Sequence, residues 1–191
     1  MKYRIYLFRH GQTYYNKSER FTGDINSRLT VQGKKDARKV AQKLKGKTID
    51  YAFQTKLSRS KETLRYVLKY HPECKQILTD NRMIERDYGA LKGRFHRTVI
   101  KEYGQKQYDL WHRSYDMRPP KGESVRDVEK RVEAFIKDLL KFIKKHKGNV
   151  AISAHGNSMR PFRRHFEKMS KEKMMQLENP WDDYFEYTLE L

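Results

Sequence analysis

"LFRHGQT" (Leu7–Thr13) ends an apolar run on an Arg-His pair and breaks it at once with Gly11; "ISAHGNS" (Ile152–Ser158) places a second His-Gly break so that the two histidines stand 145 positions apart. The run before the first break, "KYRIYLF" (2–8), puts Tyr3, Ile5 and Leu7 on one face and Tyr6 and Phe8 on the other. That pattern predicts a strand buried on both sides. "NVAIS" (149–153) reads as a strand as well. Each histidine therefore falls where a strand gives way to a turn.

Between them, strand and helix signals alternate. Thr30 is a candidate N-cap before Ala37, Val40, Ala41 and Leu44, whose spacing marks an amphipathic helix. "DYAFQ" (50–54) and "KQIL" (75–78) read as strands, with a helix opening at Ser58 that carries Leu64, Val67 and Leu68 inward and stops at His71-Pro72. Residues 83–122, punctuated by Gly89, Gly93, Gly104 and Pro119-Pro120, predict a lobe of short helices inserted over one end of the sheet. From Glu123 onward, Val125, Val128, Val132, Phe135, Ile136, Leu139, Leu140 and Ile143 mark a long helix closed by Gly148, and Asn157 starts another. "YFEYTLEL" (184–191) predicts an edge strand with Phe185, Tyr187, Leu189 and Leu191 inward. The alternation implies an α/β three-layer sandwich: a mostly parallel sheet, helices on both faces, and one domain spanning 1–191.

In such a sheet ligands bind beyond the carboxyl ends of the strands. "RHG", "QTKLSRS" and "AHG" each follow a strand, so Arg9, His10, Arg59 and His155 converge from three turns. Two guanidinium forks match the oxygens of a phosphate dianion. Gly11 and Gly156 let backbone N–H groups come close. An imidazole there can attack phosphorus and carry the phosphoryl group covalently, while the arginines stabilise its equatorial oxygens. The leaving alcohol needs a proton donor, and Glu85 in the loop "IERDYGALKG" (84–93) is the candidate.

"FRHGQT" and "AHGNSMR" resemble the histidine phosphatase superfamily. "RFTG" (20–23), "ERDYGALKG" (85–93), "WHRSYDMRPP" (111–120) and "GESV" (122–125) are similar to the cofactor-dependent phosphoglycerate mutases, in the same order along nearly the whole chain. The resemblance implies His10 as nucleophile, Arg9, Arg59 and His155 as phosphate pocket, and Glu85 as acid/base. It implies a substrate site lined by Asn16, Thr22, Gly23, Tyr88, Arg113, Gly156 and Asn157. The activity implied is the glycolytic interconversion of 3- and 2-phosphoglycerate through phosphohistidine, primed by 2,3-bisphosphoglycerate, with no permanently bound cofactor and no metal. The alternative is a histidine-type phosphomonoesterase that hydrolyses a small phosphorylated metabolite. Three departures bear on that choice. His96 stands where the family has a substrate-binding lysine, with Arg97 beside it as a substitute, and His112 precedes Arg113 where the family has two arginines. The turn Asp24-Ile25-Asn26 replaces a Trp-containing one. Only Lys121 separates Pro120 from Gly122 where mutases carry an extra loop, which predicts a more open site.

Composition sets the outer limits. The chain has 191 residues, 37% hydrophobic and 13% aromatic, enough for a real core. Its mean hydropathy of −1.03 and the lack of any apolar run near the roughly 18 residues of a membrane span predict a cytoplasmic protein with no membrane association. The lone Cys74 fits a reducing compartment. Forty-three Lys+Arg against 24 Asp+Glu leave a net charge of +19, spread over nearly every segment, which suits either a solvated surface or attraction of a phosphorylated metabolite. No nucleic-acid module, no G-x-S-x-G elbow and no helical metal-ligand spacing occurs. A homodimer is compatible with this reading, and a basic binding protein with a dead site is the non-enzymatic alternative.

Overall fold

The computed structural model describes residues 1–190, so Leu191 and the inward position expected for it lie outside. The chain runs β1 (Lys2–Arg9), α1 (Tyr14–Lys17), α2 (Val31–Leu44), β2 (Tyr51–Gln54), α3 (Ser58–Leu68), β3 (Gln76–Thr79), α4 (His96–Tyr103), α5 (Gln105–Arg113), α6 (Val125–His146), β4 (Val150–Ala154), α7 (Gly156–Glu167), α8 (Lys171–Met175) and β5 (Tyr184–Glu190). Among the described residues the strands form one sheet in the order β3-β2-β4-β1-β5. Its pairings are parallel except β1–β5, which is antiparallel and leaves β5 on the edge. No helix of the described residues is long and apolar enough to cross a membrane.

The two-sided character of β1 follows from its alternation. Ile5 and Leu7 join Phe53, Val150 and Ile152 against Phe135, Ile136 and Leu139 of α6 and Met159 and Phe162 of α7. Tyr6 and Phe8 join Ala52 and Ala151 against Val40 and Leu44 of α2 and Leu64 and Val67 of α3. Phe185, Tyr187 and Leu189 of β5 pack on the first cluster, as their spacing predicts. The helix caps are side-chain oxygens: Thr30 accepts from Gly33 N at 2.9 Å, and Ser124 and Asp127 form a reciprocal capping box on α6. Truncating a fully buried residue of α6 such as Leu139 to alanine removes packing worth about 2–5 kcal/mol.

Gly148 does not supply the left-handed residue that ends α6. Lys147 takes that conformation, at φ 51°. Gly148 is needed for space instead, because a Cβ there would come within 2.7 Å of Asp50 Cβ and 2.8 Å of the Tyr51 ring.

Residues 83–122 form short helices around a separate apolar centre of Tyr88, Leu91, Val99, Tyr108 and Trp111, completed by Phe21 from the loop after α1. Arg86 is fully buried and stitches this region together. Its guanidinium donates to the carbonyls of Glu123 (2.7 Å), Trp111 (2.8 Å) and Met117 (3.2 Å), so a buried cation is satisfied by backbone oxygens. The short turn at Pro120 lies directly on the lobe: Ala90 N donates to Pro120 O at 2.8 Å, and Gly89 leaves room for it where a Cβ would meet Pro120 O at 2.1 Å. The missing loop therefore leaves no gap at that point.

Candidate active site

Strand order explains the two distant histidines. β1 and β4 are parallel neighbours with Phe8 opposite Ser153 and Arg9 opposite Ala154. The next residues, His10 and His155, consequently emerge side by side, with ring centroids 4.9 Å apart and His10 N donating to Ala154 O at 3.1 Å. β2 flanks β4 and brings in Thr55 and Arg59 from its own turn. The loop after His10 lies backbone-to-backbone on the first turn of α2: a Cβ on Gly11 would sit 2.1 Å from Gly33 O, and one on Gly33 would sit 1.9 Å from Gln12 O.

The His10 ring is held in one tautomer. Its Nδ1 lies 2.8 Å from Gly11 O, and a carbonyl can only accept, so Nδ1 carries the proton and Nε2 the lone pair. Arg59 Nε donates to Nε2 at 3.2 Å. Burial, and then the charges of Arg59 and Arg9, hold the His10 pKa well below its ordinary value. The imidazole is thus neutral and nucleophilic at neutral pH.

Arg59 owes its pose to the 23–25 turn. Nη2 donates to Gly23 O (2.7 Å) and Nη1 to Ile25 O (2.8 Å). Asn26 secures that turn by accepting from Ser58 N at 2.9 Å, and Asp24 pairs with Lys92 at 2.8 Å. Burial pushes the Arg59 pKa down to about 10, which leaves it charged at pH 7. Burial likewise lowers Arg9. Neither arginine forms an ion pair with a carboxylate among the described residues.

His155 Nε2 lies 2.8 Å from Thr55 Oγ1, which itself accepts from Leu57 N at 3.4 Å. Thr55 thus engages the Nε2 edge of the ring and fixes its orientation, while Nδ1 is buried without a partner among the described residues. Burial, then Arg59, keeps His155 neutral by holding its pKa well below the usual value. Glu85 is buried, and its Oε1 accepts from Arg86 N (2.8 Å) and from Asn157 N in the first turn of α7 (3.1 Å). Oε2 is left to exchange a proton.

Beside these groups opens a cavity of about 230 Å³. Arg9, Glu85, Gly156 and Asn157 line its floor side, with Asn16, Thr22 and Gly23 from the loop after β1 and Tyr88, His96, His112 and Arg113 from the lobe. Six buried side-chain atoms lack a hydrogen-bond partner among the described residues, and five cluster here: Arg9 Nε, Thr22 Oγ1, His112 Nδ1, His155 Nδ1 and Trp181 Nε1. Buried polar atoms are rarely left so. Arg9 Nε and Trp181 Nε1 can only donate, and buried donors without acceptors suit an anion.

The structure separates the two adjacent substitutes in the lobe. His96 lines the cavity, whereas Arg97 lies outside it, with its guanidinium 5.0 Å over the Phe95 ring in a shallow groove beside Lys17 and Glu19. Nor are His96 and His112 cations. Both pack among Phe21, Tyr108 and each other, at centroid distances of 4.3 to 5.6 Å. Burial, then Arg113, pushes His112 down to about 3, and burial also lowers His96. This desolvation keeps His112 uncharged between pH 8 and 6. The His112→Gln variant should show the same pH dependence of substrate KM over that range as the parent. A profile flattened by the substitution would mean that His112 titrates there.

His10, Glu85 and His155 also bring potential ligand atoms within 4.8 Å of one another, a grouping that sequence spacing does not reveal. Arg59 already donates to His10 Nε2, the nitrogen that carries the lone pair, and its positive charge opposes a metal ion there.

The model of the histidine phosphatase superfamily (branch 1) matches residues 5–184. The chain belongs to the histidine phosphatase superfamily. It is 38% identical, over 91% of its length and 84% of the relative's, to a 2,3-bisphosphoglycerate-dependent phosphoglycerate mutase of Parvibaculum lavamentivorans. Among solved structures it is similar to a mycobacterial glucosyl-3-phosphoglycerate phosphatase (TM-score 0.83, 20% identity, 98% of this chain and 91% of that one). It is also similar to a phosphoglycerate mutase of Bacillus anthracis (TM-score 0.79, 22% identity, 98% and 88%). The protein is an enzyme of mutase or phosphatase type.

Several groups at the cavity escape a reading of the sequence. Arg20, Arg160, Glu178 and Asn179 line it. Arg160 stands one helical turn beyond Gly156 in "AHGNSMR", so its placement could have been read from helix phase. Thr55, which fixes the orientation of the His155 ring, precedes Arg59 by four residues in the same turn. The segment before β5 carries no periodicity that points at the site.

Proposed function

We propose that this enzyme interconverts 3- and 2-phosphoglycerate through phosphorylated His10, primed by 2,3-bisphosphoglycerate. The observation that carries the chemistry is a neutral His10 whose proton is fixed on Nδ1, so that Nε2 holds the lone pair, next to Arg59, which donates to it, and to Arg9, whose Nε has no acceptor in the protein. The mutase names of relatives sharing over 30% identity along nine-tenths of the chain support the substrate.

In the priming step Nε2 attacks phosphorus, a P–N bond forms, and the P–O bond to the glycerate oxygen breaks. Arg9 and Arg59 hold the equatorial oxygens as charge redistributes. Protonated Glu85 gives its proton to the leaving oxygen and becomes the carboxylate stabilised by Asn157 N and Arg86 N. In the return step that carboxylate takes the proton of an acceptor hydroxyl, whose oxygen attacks phosphorus and releases His10. Arg113, Arg160 and Arg20 are the cations at the cavity for the glycerate carboxylate or the second phosphate.

A second reading, hydrolysis, has one observation behind it: His96 and His112 are neutral where the mutase resemblance places fixed cations, so the distal anion is held by fewer charges. Water would then take the acceptor's place. Incubation with 3-phosphoglycerate, with and without 2,3-bisphosphoglycerate, decides between them when 2-phosphoglycerate and inorganic phosphate are followed together. Bisphosphoglycerate-dependent formation of 2-phosphoglycerate is expected. Phosphate released faster than 2-phosphoglycerate appears would replace the mutase reading with the phosphatase one.

With the transition-state charge met by arginines, turnover should be unchanged in excess chelator. Activity lost to chelator and restored by a divalent cation would refute this and assign a metal to His10, Glu85 and His155.

A further inference from the structure

The Arg9 guanidinium forms no ion pair with a carboxylate, although Glu85 and Glu178 lie near enough to favour its charge, and it must keep one orientation to serve as a phosphate fork. What surrounds it comes from the two ends of the last crossover. On the α7 side is the bare backbone of Gly156: a Cβ there would lie 3.3, 3.4 and 3.5 Å from Arg9 Cζ, Nη2 and Nε, nearly equidistant and therefore over the guanidinium plane. From the segment before β5 comes the Trp181 indole, whose ring centroid is 5.0 Å from Cζ. Arg9 Nη1 donates to Asn179 O at 3.1 Å. Asn179 is itself fixed, donating to Gly156 O at 2.9 Å and accepting from Arg163 Nη1 at 3.1 Å.

We infer that Trp181 is a positioning residue for the phosphate site, holding the Arg9 guanidinium in place through its aromatic face. This rests on reading the cavity as that site. The choice of an aromatic partner has a physical logic. A carboxylate would hold Arg9 more strongly, but it would neutralise the charge and occupy the N–H donors that the phosphate needs. The indole quadrupole stabilises the cation from above its plane and takes none of them. Arg9 Nε is accordingly buried with no acceptor in the protein. Gly156 contributes by the absence of a side chain, since any Cβ would press on the guanidinium. Neither role is written in the His-Gly motif, which places Gly156 for the turn, or in the "ENPWDD" stretch that carries Trp181.

The test uses inorganic phosphate as the probe. Trp111, in the apolar centre of the lobe, is replaced by phenylalanine so that Trp181 is the one indole in the protein. Phosphate binding should then change the Trp181 emission saturably, and the dissociation constant should agree with that found calorimetrically for the parent. Trp181→Leu, which fills space without a π face, should raise the phosphate dissociation constant about tenfold, whereas Trp181→Phe should stay within about threefold. In turnover the same loss should appear in KM more than in kcat. Equal binding by the Leu and Phe variants, or an indole emission indifferent to bound phosphate, would overturn the inference while leaving the phosphate site standing. Failure of the parent protein to bind phosphate at all would overturn the site reading and this inference with it.

Discussion

The His10→Ala protein is expected to form no phosphoenzyme and to lose on the order of 10⁴- to 10⁶-fold in turnover, as other covalent catalysts do when the nucleophile is removed. Three features place the whole burden on this ring. Its Nδ1–H is committed to Gly11 O, so only Nε2 can attack. Its pKa lies well below the ordinary value, so the lone pair is not lost to a proton near neutrality. The neighbouring His155 is already engaged through Nε2 with Thr55 Oγ1 at 2.8 Å, so it is not placed to take over. The backbone bond from residue 10 to Ala154 O survives the substitution, so the fold should persist. Labelled 2,3-bisphosphoglycerate, followed by denaturing separation, should show an acid-labile, base-stable adduct on the parent and none on the variant. An equally labelled His10→Ala protein would remove His10 from the mechanism.

Arg59→Met is expected to cost about 10²- to 10³-fold in kcat/KM, the scale of a lost preorganised oxyanion donor, and to move the pH profile as well. Burial is the largest influence lowering the His10 pKa, and the Arg59 charge is the next. Removing that charge lets the pKa rise toward the ordinary histidine value. A larger fraction of His10 is then protonated, and non-nucleophilic, on the acid side of neutrality. The acid limb of kcat/KM should therefore shift to higher pH in the variant, with the greatest relative loss at pH 5.5–6.5, around the usual pKa of about 6.5. Arg59→Lys should not rescue, because one ammonium group cannot reproduce three donors aimed at Gly23 O, Ile25 O and His10. A fall of less than tenfold, with the acid limb unmoved, would show that Arg59 only supports the 23–25 turn.

The strand-end positions of Arg9, His10, Arg59 and His155 were legible because burial on two faces leaves a local mark, and parallel topology then carries the following turns to one edge of the sheet. The choice between His96 and Arg97 was not legible from spacing. Both begin α4, successive helical residues point about 100° apart, and only the packing of Phe21 and Tyr108 decides that His96 turns toward the cavity. The charge state of His112 was not legible for a related reason. A histidine's formal position in a motif says nothing of the desolvation that holds it neutral. Asn179 and Trp181 were invisible because they belong to no periodic element and act through a backbone carbonyl and a ring face. The short helices α1 and α8 were missed as too brief to show a period.

The insertion of β4 between β2 and β1 has a consequence for biosynthesis. As the chain leaves the ribosome, Arg9 and His10 appear early, and Arg59 and Glu85 follow, but the central place in the sheet stays vacant until residues 150–154 arrive. Only then can β1 pair with a parallel neighbour and His155 come to rest beside His10. Until that moment the nascent chain holds two unpaired strand edges and a nucleophile with no site around it. Long-range parallel pairing of this kind is slow and exposes the chain to aggregation. The scattered lysines and arginines that give the chain its charge of +19 are well placed to keep such an intermediate apart from its own copies.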